Sequence, residues 1–509
     1  MNKKKQKQDI IKIIKVLVFT LILTIILIGC SEKEKDAVIK DTGGGELVIA
    51  MTNEPTGFDP FMAESADTRS ILFNIFEGLV KPNTDGTLIP AVAEDFKTSD
   101  DGKMYTFVLR NGIKFHNGNP VAADDVIYSI NQAISMKFTG YDNVASVQAT
   151  DDKTIEIILS EADNEFLPYL TVAIVPKDYT EQATRPIGTG PYKLESFTEQ
   201  QSLVLTKNMY YWQEGKPHLD KVIYKSVSDG TSAVFELQSG SVDLLSVEYP
   251  VIQQLDVNKF NIVETPSNSV QMLALNNDYE PFRDIRVRQA ISYAVDSNEI
   301  IKTVNKGYAK RAASPIIPSL TKLYDNSLDA AYETDIEKAK QLMKEAGYEN
   351  GFSLKITVPS IYQVHMDTAQ VIINQLKEIG INASIESVDW STWLSNTYTN
   401  RQYEATVISV DGTNITAKSY LGRYVSTADK NFVNYSSSEY DSVYAAAVTE
   451  PDEEKRNNLY KQAQQILSRD AASVYIQDIS RIYVLRKGFK GIVNYPLYVI
   501  DLSTIRKEK

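Results

Sequence analysis

The sequence predicts a mixed α/β fold with at least two lobes, and two local patterns together with the chain length support this prediction. Side chains alternate in character around an Asn-Gly pair within 105–115, which is typical of a β-hairpin. Residues 354–385 show a strand pattern, then a helix pattern, then a second strand pattern. The chain has 509 residues, which is more than one hydrophobic core usually serves, so several cores are expected.

The N-terminal residues predict export. Six lysines between Lys3 and Lys15 precede an uncharged, mainly apolar run from Val16 to Ile28. The run is shorter than the roughly 20 residues that a transmembrane helix needs, and the alternative of a permanent anchor depends on extending it through upstream isoleucines. We therefore predict a signal peptide over 1–29.

The end of this segment, Leu27-Ile28-Gly29-Cys30, resembles the lipobox of bacterial lipoproteins. The resemblance implies cleavage before Cys30, acylation of its thiol, and anchoring at the outer face of the cytoplasmic membrane or in the periplasm. The alternative is a buried apolar cysteine. Cys30 is the only cysteine of the chain, so an internal disulfide is excluded. Charges and glycines up to Gly45 predict a flexible tether over 30–45.

The charge balance narrows the function classes. The chain has 66 acidic and 53 basic residues, a net charge of −13. Nucleic-acid binding requires a basic surface, so this class is excluded. Negative charge favours solubility and repels anionic headgroups, so the lipid rather than charge would hold the protein at a membrane.

Apolar spacing predicts the elements of the body in order. Glu46–Met51 forms a first strand. Asp124 and Asp125 precede apolar positions and predict a helix start, where carboxylates complement the helix dipole, rather than a catalytic pair. Gly347 ends one helix, and Gly380 ends the helix of a βαβ unit whose strands should be parallel. The alternating side chains of the hairpin are Tyr105, Phe107, Leu109, Ile113 and Phe115, and those of the βαβ strands are Leu354, Ile356, Val358, Ile381, Ala383 and Ile385.

Reaction motifs do not appear in the sequence. His116, His218 and His365 are far apart, and none has a second ligand type at metal-binding spacing. Gly188-Thr189-Gly190-Pro191 lacks the third glycine of a dinucleotide site, and neither a nucleophile elbow nor a phosphate-binding loop occurs. We therefore expect no enzyme activity, no metal and no cofactor.

A long series of short motifs in the body resembles the family 5 extracellular solute-binding proteins, the oligopeptide- and dipeptide-binding relatives of ABC importers. The similarity extends from Glu46 to Ile505. Any one motif is weak, but their order along the chain is specific. They include Phe58-Asp59-Pro60, Phe76-Glu77-Gly78-Leu79-Val80, Pro90-Ala91-Val92-Ala93-Glu94, Lys114-Phe115-His116-Asn117-Gly118, Gly188-Thr189-Gly190-Pro191-Tyr192, Tyr211-Trp212 and Arg286-Val287-Arg288-Gln289-Ala290.

The resemblance implies a periplasmic-binding-protein-like fold with two α/β lobes joined by a hinge and a small accessory domain. The accessory domain would span 77–176 and the second lobe 283–473. Chain crossings near Asn276–Phe282 and Val474–Gln477 would form the hinge, which would close around ligand. The first lobe would combine 46–76, 177–282 and 474–503.

The resemblance also implies ligand contacts. An exposed loop at Glu64, Ser65 and Ala66 would pair its main chain with an extended peptide. In the opposite lobe, a cleft loop follows the strand that ends at Ser409. It spans Val410, Asp411, Gly412 and Thr413, and in relatives it often carries a tryptophan and then an aspartate that binds the peptide ammonium.

This chain departs from that loop pattern because the tryptophan is missing. Simple register places Thr413 at the aspartate position, whereas Asp411 is the only acid of the loop. Asp411 is therefore either the ammonium partner, after a shift of two residues, or a turn aspartate before Gly412. Four aromatic residues are further candidates for lining the ligand cleft, and the alternative is that they pack in the core. They are Tyr249, Tyr362, Trp390 and Trp393.

The leading function hypothesis is capture of a peptide by a monomeric lipoprotein and its delivery to ABC permease subunits. Nickel complexes, oligosaccharides or other solutes remain alternatives, because the fold alone does not select the ligand. A secreted lipoprotein hydrolase and a receptor for a signalling partner are the other classes.

Overall fold

Sheets of seven, six and four strands organise the protein, in a computed structural model that describes residues 44–63, 65–412 and 415–508. The chain from residue 43 onward groups into one unit. Within the described residues, no helix combines the length and apolar character required to cross a bilayer. The mixed α/β fold class is confirmed.

The strands are β1 (Glu46–Met51), β2 (Val80–Pro82), β3 (Leu88–Pro90), β4 (Ala93–Thr98), β5 (Met104–Leu109), β6 (Val144–Ala149), β7 (Thr154–Leu159), β8 (Tyr192–Thr198), β9 (Ser202–Lys207), β10 (Lys221–Ser226), β11 (Leu244–Val247), β12 (Phe260–Thr265), β13 (Ser269–Leu275), β14 (Ala309–Arg311), β15 (Ser353–Pro359), β16 (Asn382–Val388), β17 (Ala405–Asp411), β18 (Ser473–Ile479), β19 (Arg481–Arg486), β20 (Phe489–Lys490) and β21 (Arg506–Lys507).

The α-helices are α1 (Ala66–Leu72), α2 (Ala123–Ser135), α3 (Gly230–Ser239), α4 (Tyr249–Ile252), α5 (Ile285–Ala294), α6 (Ser297–Thr303), α7 (Ile336–Glu345), α8 (Gln363–Lys377), α9 (Trp390–Thr392), α10 (Ala417–Leu421), α11 (Ser438–Thr449) and α12 (Glu453–Arg469).

The first sheet has the order β12-β19-β11-β1-β10-β9-β8. Alternation in β1 sends Ile49 toward Ile71 of α1 on one face of the sheet, while Val48 packs with Leu237 of α3 on the other face. Strands β10 and β11 both run parallel to β1. Helices on both faces explain why a strand of six residues can be largely apolar.

The second sheet has the order β14-β18-β13-β17-β15-β16 and contains the predicted βαβ unit. Strands β15 and β16 pair in parallel, and the apolar face of α8 packs on them. Gly380 follows α8 with a φ of +82°, which glycine adopts without strain. This prediction is confirmed, as is the helix before it, because α7 is followed by Gly347 with a φ of +83°.

The third sheet has the order β4-β5-β7-β6, and it shows that the predicted hairpin is wrong. Strand β5 exists, but its two edges are occupied by β4 and β7, so no place is left for a partner at 113–115. Ile113 and Phe115 are instead buried in the core of this unit, outside any strand. The helix start at Asp124 and Asp125 is confirmed, and the Asp125 carboxylate accepts the Ala122 backbone N–H at 2.8 Å.

Two short segments connect the first and second sheets: 266–268 between β12 and β13, and Ser480 between β18 and β19. We call them the connecting segments. The crossings were expected near Asn276–Phe282 and Val474–Gln477, but β13 and β18 pair with each other inside the second sheet, so the chain passes between the sheets before β13 and after β18. The division of the remaining residues into lobes stays a prediction.

Candidate functional site

The carboxyl ends of parallel strands locate a candidate site on each of the two large sheets. In the first sheet, β1, β10 and β11 end at the edge from which the connecting segments leave, because Val247 lies opposite Ile482. In the second sheet, β15, β16 and β17 end at the edge where those segments enter, since Asp411 lies opposite Ser269. Loops at such edges are where α/β sheets bind ligands.

A pocket of about 670 Å³ lies at this edge of the first sheet. Three of its lining residues form one hydrogen-bonded group, because the Asp67 carboxylate accepts from Asn53 Nδ2 at 2.9 Å and from the Tyr498 hydroxyl at 3.0 Å. Burial, together with the nearby Asp67 carboxylate, raises the pKa of Tyr498, so its hydroxyl remains a donor. The group ties the end of β1, the start of α1 and the C-terminal segment together.

Two further carboxylates line this pocket. Asp229 caps α3 by accepting the N–H of Ser232 at 2.9 Å, and hydrogen bonds from Ser232 and Ser228 lower its pKa to about 2. Glu248 is exposed, directly after β11. Sequence reasoning missed all these pocket residues.

Glu64, Ser65 and Ala66, which were predicted to bind a peptide through their main chain, directly precede the pocket residue Asp67. Glu64 is outside the described residues. Ser65 is extended and caps α1, with its hydroxyl accepting the Thr68 N–H at 3.1 Å, and its carbonyl accepts from Arg69. Ala66 is already helical. Little main chain at these two residues is therefore free for strand pairing, and their contact with a ligand stays a prediction.

Aromatic side chains occupy the matching edge of the second sheet. Trp390 stacks on Trp393 with ring centres 5.1 Å apart, and Tyr362 meets the edge of Trp390 at 5.8 Å. Trp393 is 3% exposed and donates its ring N–H to Thr406 Oγ1 at 3.0 Å, so it packs in the core. Trp390 and Tyr362 are 38% and 39% exposed, and they form an open platform after β16 and β15.

The predicted cleft loop begins at the same edge. Asp411 is the last residue of β17, exposed, and its backbone carbonyl accepts from Arg423 Nη2 at 3.0 Å. Gly412 donates its N–H at 3.1 Å to the carbonyl of Asn268, which belongs to the connecting segment 266–268. A Cβ at Gly412 would come within 2.3 Å of the Tyr420 ring, which explains the glycine. Val410 packs on the core, and Thr413 lies outside the described residues.

Tyr249 lies where the two edges approach one another. It starts α4 after β11, and its ring centre is 5.2 Å from that of Tyr308, which precedes β14 of the second sheet. The contact joins a residue that follows a strand of the first sheet to a residue that precedes a strand of the second sheet. The structure therefore places Tyr249, Tyr362, Trp390 and Asp411 at the two edges but puts Trp393 mainly in the core.

Other predicted features lie elsewhere. Cys30 and its leader are outside the described residues. His116 donates a hydrogen bond from Nε2 to the Gly190 carbonyl, and His365 is hydrogen-bonded to Gln271. Burial lowers the pKa of each histidine to about 4. In the part of the chain that the structure describes, no three His, Cys, Asp or Glu side chains are grouped to hold a metal ion.

Comparisons with known proteins extend over nearly the whole chain. The family model for bacterial extracellular solute-binding proteins, family 5 Middle, matches residues 87–432. Heme-binding protein A of Haemophilus influenzae is 27% identical, over 93% of this chain and 95% of its own. Dipeptide-binding protein DppE of Bacillus subtilis is 28% identical, over 94% and 96%. The solved structure of DppA from Helicobacter pylori with the peptide STSA matches at a TM-score of 0.73 and 26% identity, over 92% of this chain and 99% of that one.

Proposed function

This chain belongs to the family 5 bacterial extracellular solute-binding proteins, and we propose that it binds a peptide between its two sheet edges and delivers it to the permease of an ABC importer. The relatives named for dipeptides and the peptide-bound DppA support a peptide ligand. The lipobox-like motif supports attachment of the protein to the membrane through Cys30.

The observation that carries this proposal is the pair of carboxyl-end edges on either side of the connecting segments. Both edges present exposed apolar side chains, Phe235 on the first sheet and Tyr362 and Trp390 on the second. Exposed apolar groups on facing surfaces favour binding a solute that covers them, because this removes their surface from water. A peptide also offers backbone polar groups and amines to the carboxylates at these edges.

Closure of the two edges over the ligand is the expected mechanism. Within the described residues, two segments join the first and second sheets, so a change at 266–268 and Ser480 would move one sheet relative to the other. Binding energy would then come from contacts with both edges at once. The protein would act as a monomer and release its solute when the permease favours the open arrangement.

Mass spectrometry of small molecules released by denaturing the purified protein is the direct test. We expect short peptides, and adding the recovered peptide back should reduce the radius of gyration in small-angle scattering. Recovery of heme, with its Soret absorbance, would replace the peptide by the ligand class of heme-binding protein A. Catalytic cleavage of added peptides by pure protein would refute the transport proposal and indicate a hydrolase.

A further inference from the structure

The pocket of the first sheet is lined by acidic side chains without a matching cation. Asp67, Asp229 and Glu248 line it, and among the described lining residues there is no lysine, arginine or histidine. The hydrogen-bond donors to Asp67 are the neutral groups of Asn53 and Tyr498, and Asp229 is held by serine groups. None of the three carboxylates takes part in an ion pair within the described residues. No ion pair within the described residues therefore neutralises these three carboxylates, although Arg481 lies against the pocket residues Tyr498 and Tyr483.

Arg481 lies beside the pocket but does not line it. Arg481 stacks on the Tyr498 ring at 4.9 Å, and its Nη2 donates to the carbonyl oxygens of Pro266 and Leu497. Those bonds direct one end of the guanidinium toward main chain at the connecting segment. Arg481 thus does not line the space that Asp67 faces.

A largely buried tyrosine in the same pocket has a hydroxyl that lacks a partner. Tyr224 lines the pocket at 7% exposure, and its hydroxyl makes no hydrogen bond with any described residue. The hydroxyl is not among the fully enclosed atoms that lack a partner, so it is accessible from the pocket and is available to hydrogen-bond with a bound molecule. Its oxygen can accept from an N–H group.

We infer that this pocket binds the positively charged group of the solute, an ammonium or guanidinium. Several carboxylates around a concave, partly apolar space focus a negative potential, which attracts cations and disfavours anions. The inference rests on the proposed function, since the pocket is one face of the proposed peptide cleft. It names the ligand class as cationic peptides, whose charge comes from a lysine or arginine side chain or from the N-terminal amine.

Charged thiol reagents test the potential of the pocket without any peptide. Changing Cys30→Ala removes the only cysteine, and Thr231→Cys in this background places one exposed thiol at the pocket. In mild detergent at low salt, a cationic methanethiosulfonate should react about tenfold faster than its anionic counterpart. The ratio should fall toward that of a model thiol when Asp67→Asn and Glu248→Gln are added, and it should fall in high salt.

A matched control separates local from overall charge. Glu337→Gln removes one exposed carboxylate of α7, which forms its ion pair with Lys340 far along the chain from the pocket. It should leave the reactivity ratio within about twofold, because Glu337 is paired with Lys340 and does not line the pocket. A ratio that is near unity in the parent, or that responds equally to both changes, would overturn the inference.

Calorimetry with four tetrapeptides identifies the source of the charge: Ala-Ala-Lys-Ala, its Nε-acetyl form, its N-terminally acetylated form, and the doubly acetylated form. Acetylation of one of the two amines, at Nε of the lysine or at the N-terminus, should weaken binding about tenfold. Asp67→Asn should remove this loss, because the group that the pocket binds is then no longer favoured by its charge. Equal affinity of all four would refute the inference while leaving peptide binding intact. Binding of no peptide would refute the proposed function, and the thiol-reagent ratio would still decide the charge preference.

Discussion

Replacing Glu165 by glutamine should remove a pH dependence of stability between about pH 5 and 8. Glu165 is 8% exposed and follows the third sheet, and its Oε2 accepts the N–H of Lys418 at 3.0 Å. Lys418 belongs to α10, just after the cleft loop. Burial raises the pKa of Glu165 from 4.5 to about 7, and the hydrogen bond from Lys418 opposes this shift. Asp163, Lys418 and Arg456 are the charged groups that face it.

The sign and size follow from the raised pKa. Below pH 4.5 the carboxyl is protonated in both the folded and the unfolded chain, so the free energy of unfolding is not reduced by ionisation of Glu165. As the pH rises, this carboxyl ionises first in the unfolded chain, which lowers the free energy of unfolding. The loss is complete by about pH 7 to 8, where the folded chain also ionises. The shift corresponds to roughly 3 kcal/mol at 1.36 kcal/mol per pKa unit. For a domain unit of this length, 1 kcal/mol changes the melting temperature by about 1 °C, so a difference of about 3 °C is expected.

Calorimetric melting of parent and Glu165→Gln at pH 5 and pH 8 measures this difference. Glutamine keeps an acceptor for the Lys418 N–H but cannot ionise, so the variant should gain about 3 °C over the parent at pH 8 and little at pH 5. The exposed change Glu337→Gln serves as the control and should show no such gain. The reasoning fails if parent and variant lose the same stability between the two pH values.

Two further predictions concern the loop and the anchor. If the acidic pocket binds a side-chain cation and Asp411 binds the N-terminal amine in the closed cleft, Asp411→Asn should weaken peptide binding by roughly 2 to 5 kcal/mol, the range for removing one partner of a buried charge pair. In calorimetry N-terminal acetylation should then add little to this loss, and simple addition of the two costs would exclude contact between Asp411 and the amine. Cys30→Ala should abolish acyl labelling and release or stall the precursor, and unchanged acylation with unchanged membrane retention would show that Cys30 carries no lipid.

Local patterns predicted the parts of the fold whose partners are close in sequence. The βαβ unit was predictable because its strands and helix lie within 36 consecutive residues, from Ser353 to Val388, and each carries its own apolar period. The hairpin was wrong because β5 receives both neighbours from outside 105–115: β4 from before it and β7 from after it. A turn signal identifies a tight bend but does not report that both edges of a strand are already paired.

The pocket escaped prediction for the same reason. Asp67 and Tyr498 are 431 positions apart and meet only because the C-terminal segment returns to the first sheet. The family-like loop at 64–66 ended one residue before Asp67, and the acid reads as an ordinary first-turn residue of α1. For Trp393 the local pattern was sufficient. Its spacing from Trp390 indicated packing in the core, and its buried hydrogen bond to Thr406 shows that it packs there.

One connecting segment is hydrogen-bonded to the end of β18, next to the other segment, and this would restrict how the edges close. Asp478, at the end of β18, accepts the backbone N–H of Ser267 at 3.0 Å and its hydroxyl at 2.7 Å, so a residue beside one segment holds the other. Burial raises the pKa of Asp478 to about 6, with the Ser267 bonds opposing the shift. A pair of segments held together in this way bends as one unit. In the closure proposed above, Asp411 and the aromatic platform would move toward the acidic pocket as a single rotation, and a solute would have to contact both edges to stabilise the closed arrangement.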